Sequence, residues 1–140
     1  MIGMDSQNRI STSFAHQSMM TTLGARLVSV TPGQVEIAAP ITPATTQQHG
    51  LAHAALAFAI GDSAAGYAAL SLMPNDREVV TSEMKIHLLA PARGNRLIAR
   101  GRVLRAGRRL TVVLADVYAE TNGAETHVAF LNGTMVSVPA

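Results

Sequence analysis

A stretch of small residues from Leu51 to Met73, LAHAALAFAIGDSAAGYAALSLM, constrains this chain more than anything else in it. Nine alanines fall between Ala52 and Ala69, Gly61 and Gly66 stand among them, and Asp62 is the only charged side chain between His53 and Asp76. The pattern predicts one long helix from Leu51 to about Met73, ended by Pro74-Asn75-Asp76. Side chains this small let a sheet approach closely around the helix. Gly61 and Gly66 each cost a helix about 1 kcal/mol, and close packing would explain them. A membrane span is disfavoured, because Ala is weakly apolar and Asp62 at the centre costs about 2.5–3.5 kcal/mol on insertion scales.

The flanking segments set the fold class. Phe14, Met19, Met20 and Leu23 fall at helical spacing within residues 13–23, with Gly24 as a stop. Residues 1–12 read as a loosely ordered lead-in to a single domain of 1–140. A hairpin follows: residues 25–31, a Pro32-Gly33 turn, then residues 34–39. After a loop from Pro40 to Gly50 comes the long helix. Then come four strand candidates with no further helix: residues 78–89, 97–105, 110–120 and 126–138. Pro91, Ala106-Gly107 and Asn122-Gly123 mark the turns. In the first of these strands, alternation puts Val80, Met84, Ile86 and Leu88 on one face and Thr81, Glu83, Lys85 and His87 on the other. Val112, Val113 and Leu114 are consecutive, so that strand is expected to be covered on both faces, by the helix and by another subunit. The order predicts an α+β domain with a curved sheet wrapped on one central helix.

Composition narrows the chemistry. Hydrophobic residues make up 48% and charged residues only 14%, which suggests an oligomer. Absence of cysteine removes disulfides, thiolate metal sites and Cys nucleophiles. No clustered acids or histidines stand at ligand spacing, so no metal is expected. MIGMDSQNRIST lacks an export-signal pattern, so the expected location is the cytoplasm. Seven of the eleven basic residues fall at Arg93, Arg96, Arg100, Arg102, Arg105, Arg108 and Arg109. Arg suits phosphate, so this run is either a phosphate-ligand site or a solvated strand face. No aromatic interleaves with it, which argues against a nucleic-acid platform.

Asp62 and the start of its helix carry the candidate chemistry. A lone carboxylate in an apolar helix is costly unless paired, hydrated or reactive. The bland alternative makes Asp62 the cap of a second helix beginning at Ser63. Taken alone, His49 and His53 are ordinary loop or first-turn histidines. The first N–H groups of a helix are free to hold an oxyanion. Gly50 gives the chain freedom just before this start, and Ala54 offers such an N–H. Asp62 lies eight residues on, about 12 Å along the helix. One carbonyl cannot meet both within one chain, so shared sites across a two-fold axis are expected.

These residues resemble the hotdog-fold acyl-CoA thioesterases of the phenylacetate-degradation (PaaI-like) type. That family carries Asn or Gln, then Gly-x-x-His-Gly-Gly, then an acid nine positions after the His. The matching residues are Gln47, Gly50, His53, Ala54, Ala55 and Asp62. The segments VVTSEMKIHLLAPA and GRVLRAGRRLTVVLADVYAE continue the likeness. The resemblance implies hydrolysis of an acyl-CoA, with Asp62 as general base or nucleophile. Ala54 N–H would hold the carbonyl oxygen, and Thr81 would position the attacking water. Gln47 and His53 would form the opposing wall, with Gly50 and Ala55 beside the substrate. Arg105, Arg108 and Arg109 would meet the nucleotide phosphates. It also implies dimers with interface sites, commonly paired into tetramers. No cofactor is implied beyond the coenzyme A of the substrate. Ala54-Ala55 departs from the family's Gly-Gly; a backbone N–H survives, but Ala would be strained if either position needed a positive φ. The competing reading is a non-catalytic acyl-CoA-binding module. A hydratase of this fold would want Asp and His close together, which the His53–Asp62 spacing does not supply.

Overall fold

The structure is a computed structural model that describes residues 4–140. Two short helices, α1 (Met4–His16) and α2 (Ser18–Leu23), lead into the hairpin β1 (Arg26–Thr31) and β2 (Gln34–Pro40). The long helix α3 (Ala54–Leu70) follows, then strands β3 (Arg77–Leu88), β4 (Arg96–Ala106), β5 (Leu110–Thr121) and β6 (Ala124–Pro139). All six strands form one antiparallel sheet in the order β1-β2-β4-β5-β6-β3. The expected α+β fold, a curved antiparallel sheet around one central helix, is the one found.

Helix α3 is apolar on nearly every side, and such a helix must be buried. Leu56, Ala57, Ile60, Ala64, Ala65, Ala68, Ala69 and Leu70 are all buried. They meet the inward row of β5, namely Val113, Ala115, Val117 and Ala119. The closest approach is made by the strand rather than by the helix glycines alone. A Cβ on Gly101 of β4 would overlap the Ala64–Ala65 peptide itself. At Gly61 a Cβ would meet only the flexible end of Leu131, at 2.9 Å, and at Gly66 it would make ordinary contact with Met135, at 3.7 Å. Close packing therefore accounts for Gly61 but does not demand Gly66.

Local signals locate the turns well. Gly33 has φ +74 in the first hairpin. Asn122 and Gly123 have φ +51 and +87, the two-residue turn that suits the twist of paired strands. Gly24 caps α2 in the left-handed region, with φ +68.

Three expectations need correction. Residues 1–12 were expected to be loosely ordered. Residues 1–3 lie outside the described residues, but Met4–His16 form a helix. Its apolar side docks Ile10 fully into the core, with Phe14 half-buried beside it. The helix expected over 13–23 is two helices, broken at Gln17, whose backbone is extended. Strict alternation in β3 also fails. A bulge between Thr81 and Glu83 shifts the register, so Val80 faces outward while Val79, Thr81, Met84 and Ile86 face the helix. Bulges turn a side chain toward a site in this way.

Within the single chain the central helix covers one side of β5. Val113 is buried, whereas Val112 on the outer face is 38% exposed. Among the described residues, no helix is long and apolar enough to cross a membrane.

Candidate active site

Asp62 sits in the middle of α3, and the helix runs through it unbroken. This removes the reading of Asp62 as the cap of a second helix. Its Oδ1 accepts a 2.8 Å hydrogen bond from Thr81 Oγ1, the side chain that the β3 bulge turns inward. Thr81 also lies 3.4 Å from the Met135 sulfur. Burial raises the Asp62 pKa above the ordinary carboxylate value, and the Thr81 hydrogen bond opposes that rise. A carboxylate held this way is a better proton acceptor than one in water.

The acid faces a cavity of about 190 Å³ whose walls include Ser13, Gln17, Ser63, Tyr67, Glu78 and Thr81. Most of these residues were not singled out from the sequence. Gln17 is the residue at the α1–α2 break, and its side chain turns in to meet α3. Its Nε2 donates to the Tyr67 hydroxyl at 3.1 Å, and its Oε1 accepts from Ser63 Oγ at 3.1 Å. Ser13 Oγ lies 3.0 Å from the same Tyr67 hydroxyl. The helix spacing of Phe14 and Leu23 was a weak clue that this segment docks. Nothing local marked Gln17 as the contact.

The start of α3 forms a second place of chemical interest. His53 is its N-cap, and Nδ1 accepts the Ala55 N–H at 2.9 Å. The His53 carbonyl accepts the Leu56 N–H at 2.9 Å, and its own N–H binds Thr45 O at 2.9 Å. The Ala54 N–H has no acceptor among the described residues. It is thus a free donor at the positive end of the helix dipole, suited to a carbonyl oxygen or an oxyanion. Neither Ala54 nor Ala55 has a positive φ, so the strain that Gly-Gly would relieve is not present. The Gln47 side-chain carbonyl accepts from the N–H groups of His49 and Leu51, closing the turn in which Gly50 has φ +78. Gln47, His53, Ala54, Leu88 and Ala92 line a cavity of about 290 Å³. The structure therefore brings Asp62 to Thr81, and Gln47 to His53 and Ala54, but into separate cavities. Ala55 lines a further small apolar cavity with Met19 and His53.

The arginine run divides. Arg96 pairs bidentately with Glu120, and Arg100 binds both Glu36 and Glu125 while lying 4.9 Å over the Tyr118 ring. Those carboxylates hold the Arg100 guanidinium firmly in its charged form. These two are structural, outward-facing groups. Arg105, Arg108 and Arg109 are exposed around the β4–β5 turn and have no ion pair among the described residues. The strand register runs Thr111 to Met135 to Thr81, so this turn lies at the same end of the sheet as the Asp62 cavity. His127 meets Asp116 at 2.9 Å on the outer face. Among the described residues no three His, Asp or Glu side chains converge as a metal site would require.

Comparison with known proteins agrees with this architecture. The family model of the thioesterase superfamily matches residues 49–126, which include Ala54, Asp62 and Thr81 but not Gln17 or Gln47. Among curated proteins, none matches the chain. A thioesterase family protein from Silicibacter pomeroyi is 41% identical over 96% of this chain and 99% of its own, with a TM-score of 0.94. A thioesterase from Haemophilus influenzae is 19% identical, covering 91% of this chain and 87% of its own, with a TM-score of 0.81. The PaaI protein of the E. coli phenylacetic acid degradation operon is 18% identical, covering 100% of this chain and 98% of its own, with a TM-score of 0.87. The two distant structures share the fold, and the sequence match over most of the helix and sheet carries the relationship: this chain is a hotdog-fold member of the thioesterase superfamily.

Proposed function

We propose that the protein hydrolyses an acyl-CoA thioester, using Asp62 of one subunit and the Ala54 N–H of another on the same carbonyl. The observation that carries this reading is the Thr81–Asp62 hydrogen bond at 2.8 Å, inside a cavity. It orients a carboxylate whose basicity is raised by burial. A thioester carbonyl becomes more negative as a nucleophile adds, and a free helix-start N–H stabilises that charge. Asp62 would take the proton from water as it adds, or add directly to the carbonyl. Coenzyme A thiolate leaves in either case, giving the free acid in the first and, in the second, an acyl–Asp62 anhydride that water then cleaves to free acid and Asp62.

The separation of the two groups supports sharing between subunits. The acid's cavity is lined by Thr81, near the beginning of β3, and the amide's by Leu88, at its end. β3 is also an edge strand of the sheet, with one side free to pair. Antiparallel pairing of β3 with its copy, with the two-fold axis between Met84 and Lys85, would set Thr81 of one chain beside Leu88 of the other. Each acid cavity would then join a partner's amide cavity. The second apolar face of β5, with Val112 and Leu114, suits a further contact between dimers. Arg105, Arg108 and Arg109, which have no ion pair among the described residues, are suited to nucleotide phosphates, and the cytoplasm is where such a substrate would be met.

A thiol-release assay over short, long and aromatic acyl-CoAs tests the reading. Asp62→Asn should lose at least ~100-fold in rate, the size of a general-base contribution. Full retention would sink the mechanism. Binding of acyl-CoA by wild type with no turnover of any substrate would instead favour a non-catalytic binding module. Mixed dimers of Asp62→Asn and Ala54→Pro should regain one working site. No recovery on mixing would count against shared sites.

A further inference from the structure

We propose that His53 is a positioning residue: it caps α3 and thereby aims the Ala54 N–H, and it can do so only while its Nδ1 carries no proton. The inference rests on the reading of Ala54 as the carbonyl-binding donor.

A helix start leaves its first N–H groups without intrahelical partners. Here two of the first three are tied back to one residue. The Ala55 N–H goes to His53 Nδ1 and the Leu56 N–H to the His53 carbonyl, each at 2.9 Å. Ala54 lies between these constraints and His53, and its N–H is the donor left over. The cap is itself anchored on two sides. His53 N–H binds Thr45 O at 2.9 Å, and Ala52 N–H binds Ala92 O at 3.0 Å. The peptide plane that carries the Ala54 N–H is therefore held by neighbours along the chain and by the β3–β4 loop.

Most helix caps are Ser, Thr, Asp or Asn. A histidine cap differs because its acceptor is a ring nitrogen. Accepting at Nδ1 requires the neutral ring to carry its proton on Nε2. Protonation turns Nδ1 into a donor facing another donor, and it adds a positive charge at the positive end of the helix. The Ala55 N–H is then released, and the adjacent Ala54 plane loses its constraint. Among the described residues His53 has no ion-pair partner. The two cavities bordered by His53 are walled by Gln47, Gln48, the loop after β3, Val128 and Ala129 of β6, and Met19 and Leu23 of α2. Neither contains another acidic or basic side chain. His49 is the other titratable group on the same loop.

Nitrogen-15 NMR of the imidazole, with amide exchange at Ala55 and Leu56, reads the cap without any turnover. The expected result is the Nε2–H tautomer in the neutral protein, with Ala55 protection lost as the ring is protonated. Kinetics then test its consequence. His53→Ala should lower kcat by about tenfold to a hundredfold, the scale of a small misplacement, with little change in KM. His53→Asn supplies a non-titrating cap. It should recover most of that loss, because it restores an acceptor for the Ala55 N–H without restoring the ring. An Nδ1–H tautomer, or His53→Asn no faster than His53→Ala, overturns the proposal; the latter result would make the ring itself the substrate contact. If wild type hydrolyses no thioester, the function reading fails, while the NMR measurements still decide whether His53 caps the helix.

Discussion

The first turn of α3 and its middle solve opposite problems within one helix. The first turn offers a backbone group, is largely open, and is held by partners in the loop just before it and in the β3–β4 loop. The middle offers a side chain, is half-buried, and is held by Thr81 from β3 beside a wall tied to Gln17 in the N-terminal helices. The difference explains which substitutions each region accepts. Under the proposed mechanism Ala suits positions 54 and 55, because the atom used there belongs to the main chain and neither residue needs a positive φ. At Asp62 the same mechanism uses the carboxylate oxygens of the side chain, so the residue type itself matters.

Removing the backbone donor alone breaks the comparison most severely. Proline is tolerated at the first helical position, and His53, at φ −64 and ψ 142, has the extended backbone that a residue before proline prefers. Ala54→Pro should therefore keep the fold by circular dichroism and lose about 10²–10³ in kcat, the loss typical of one oxyanion donor. An unchanged kcat would leave the first turn without a chemical role.

Thr81→Ala sharpens the other side. It removes the hydrogen bond that holds the Asp62 pKa down, so that pKa rises further. The acid limb of the kcat/KM profile should move to higher pH, with a loss of about tenfold at neutral pH from poorer positioning of the base. A limb that stays in place would show that Asp62 is not the titrating base.

The smallest expected effect is on stability. The Asp62 pKa is raised in the folded protein, so the folded state holds its proton more tightly than the unfolded chain does. Stability then falls as pH rises from about 4, the unfolded carboxylate value, through the folded value. Asp62→Asn removes this cost while still accepting from Thr81. Its Tm should exceed that of wild type at neutral pH, and the difference should close below about pH 4. A variant less stable than wild type at neutral pH would mean that burial of Asp62 is offset elsewhere.

The sequence is most informative where neighbours decide the outcome. Asn122-Gly123 and Pro32-Gly33 mark hairpins because their residues favour the required φ, and the alanine run marks α3 because no other element suits it. Asp62 stands out for a local reason too: nothing charged surrounds it. Strand β3 is the instructive failure. A period of two places Thr81 on the outer face, and only the bulge at Ser82, created by pairing with β6, turns it inward. The arginine run could not be sorted from spacing either. Arg96 and Arg100 find their carboxylates across strands, at Glu120, Glu36 and Glu125.

By itself, then, the sequence determined the central helix, the turns, the lone acid and the free donor at the helix start, since each follows from the preferences of adjacent residues. Tertiary structure alone decided that Thr81 reaches Asp62, that Gln17 joins Ser63 and Tyr67 beside it, and that Gly101 must be bare for β4 to lie on Ala64 and Ala65. Those partners are distant along the chain, and strand register and helix docking bring them together. No local pattern encodes either one.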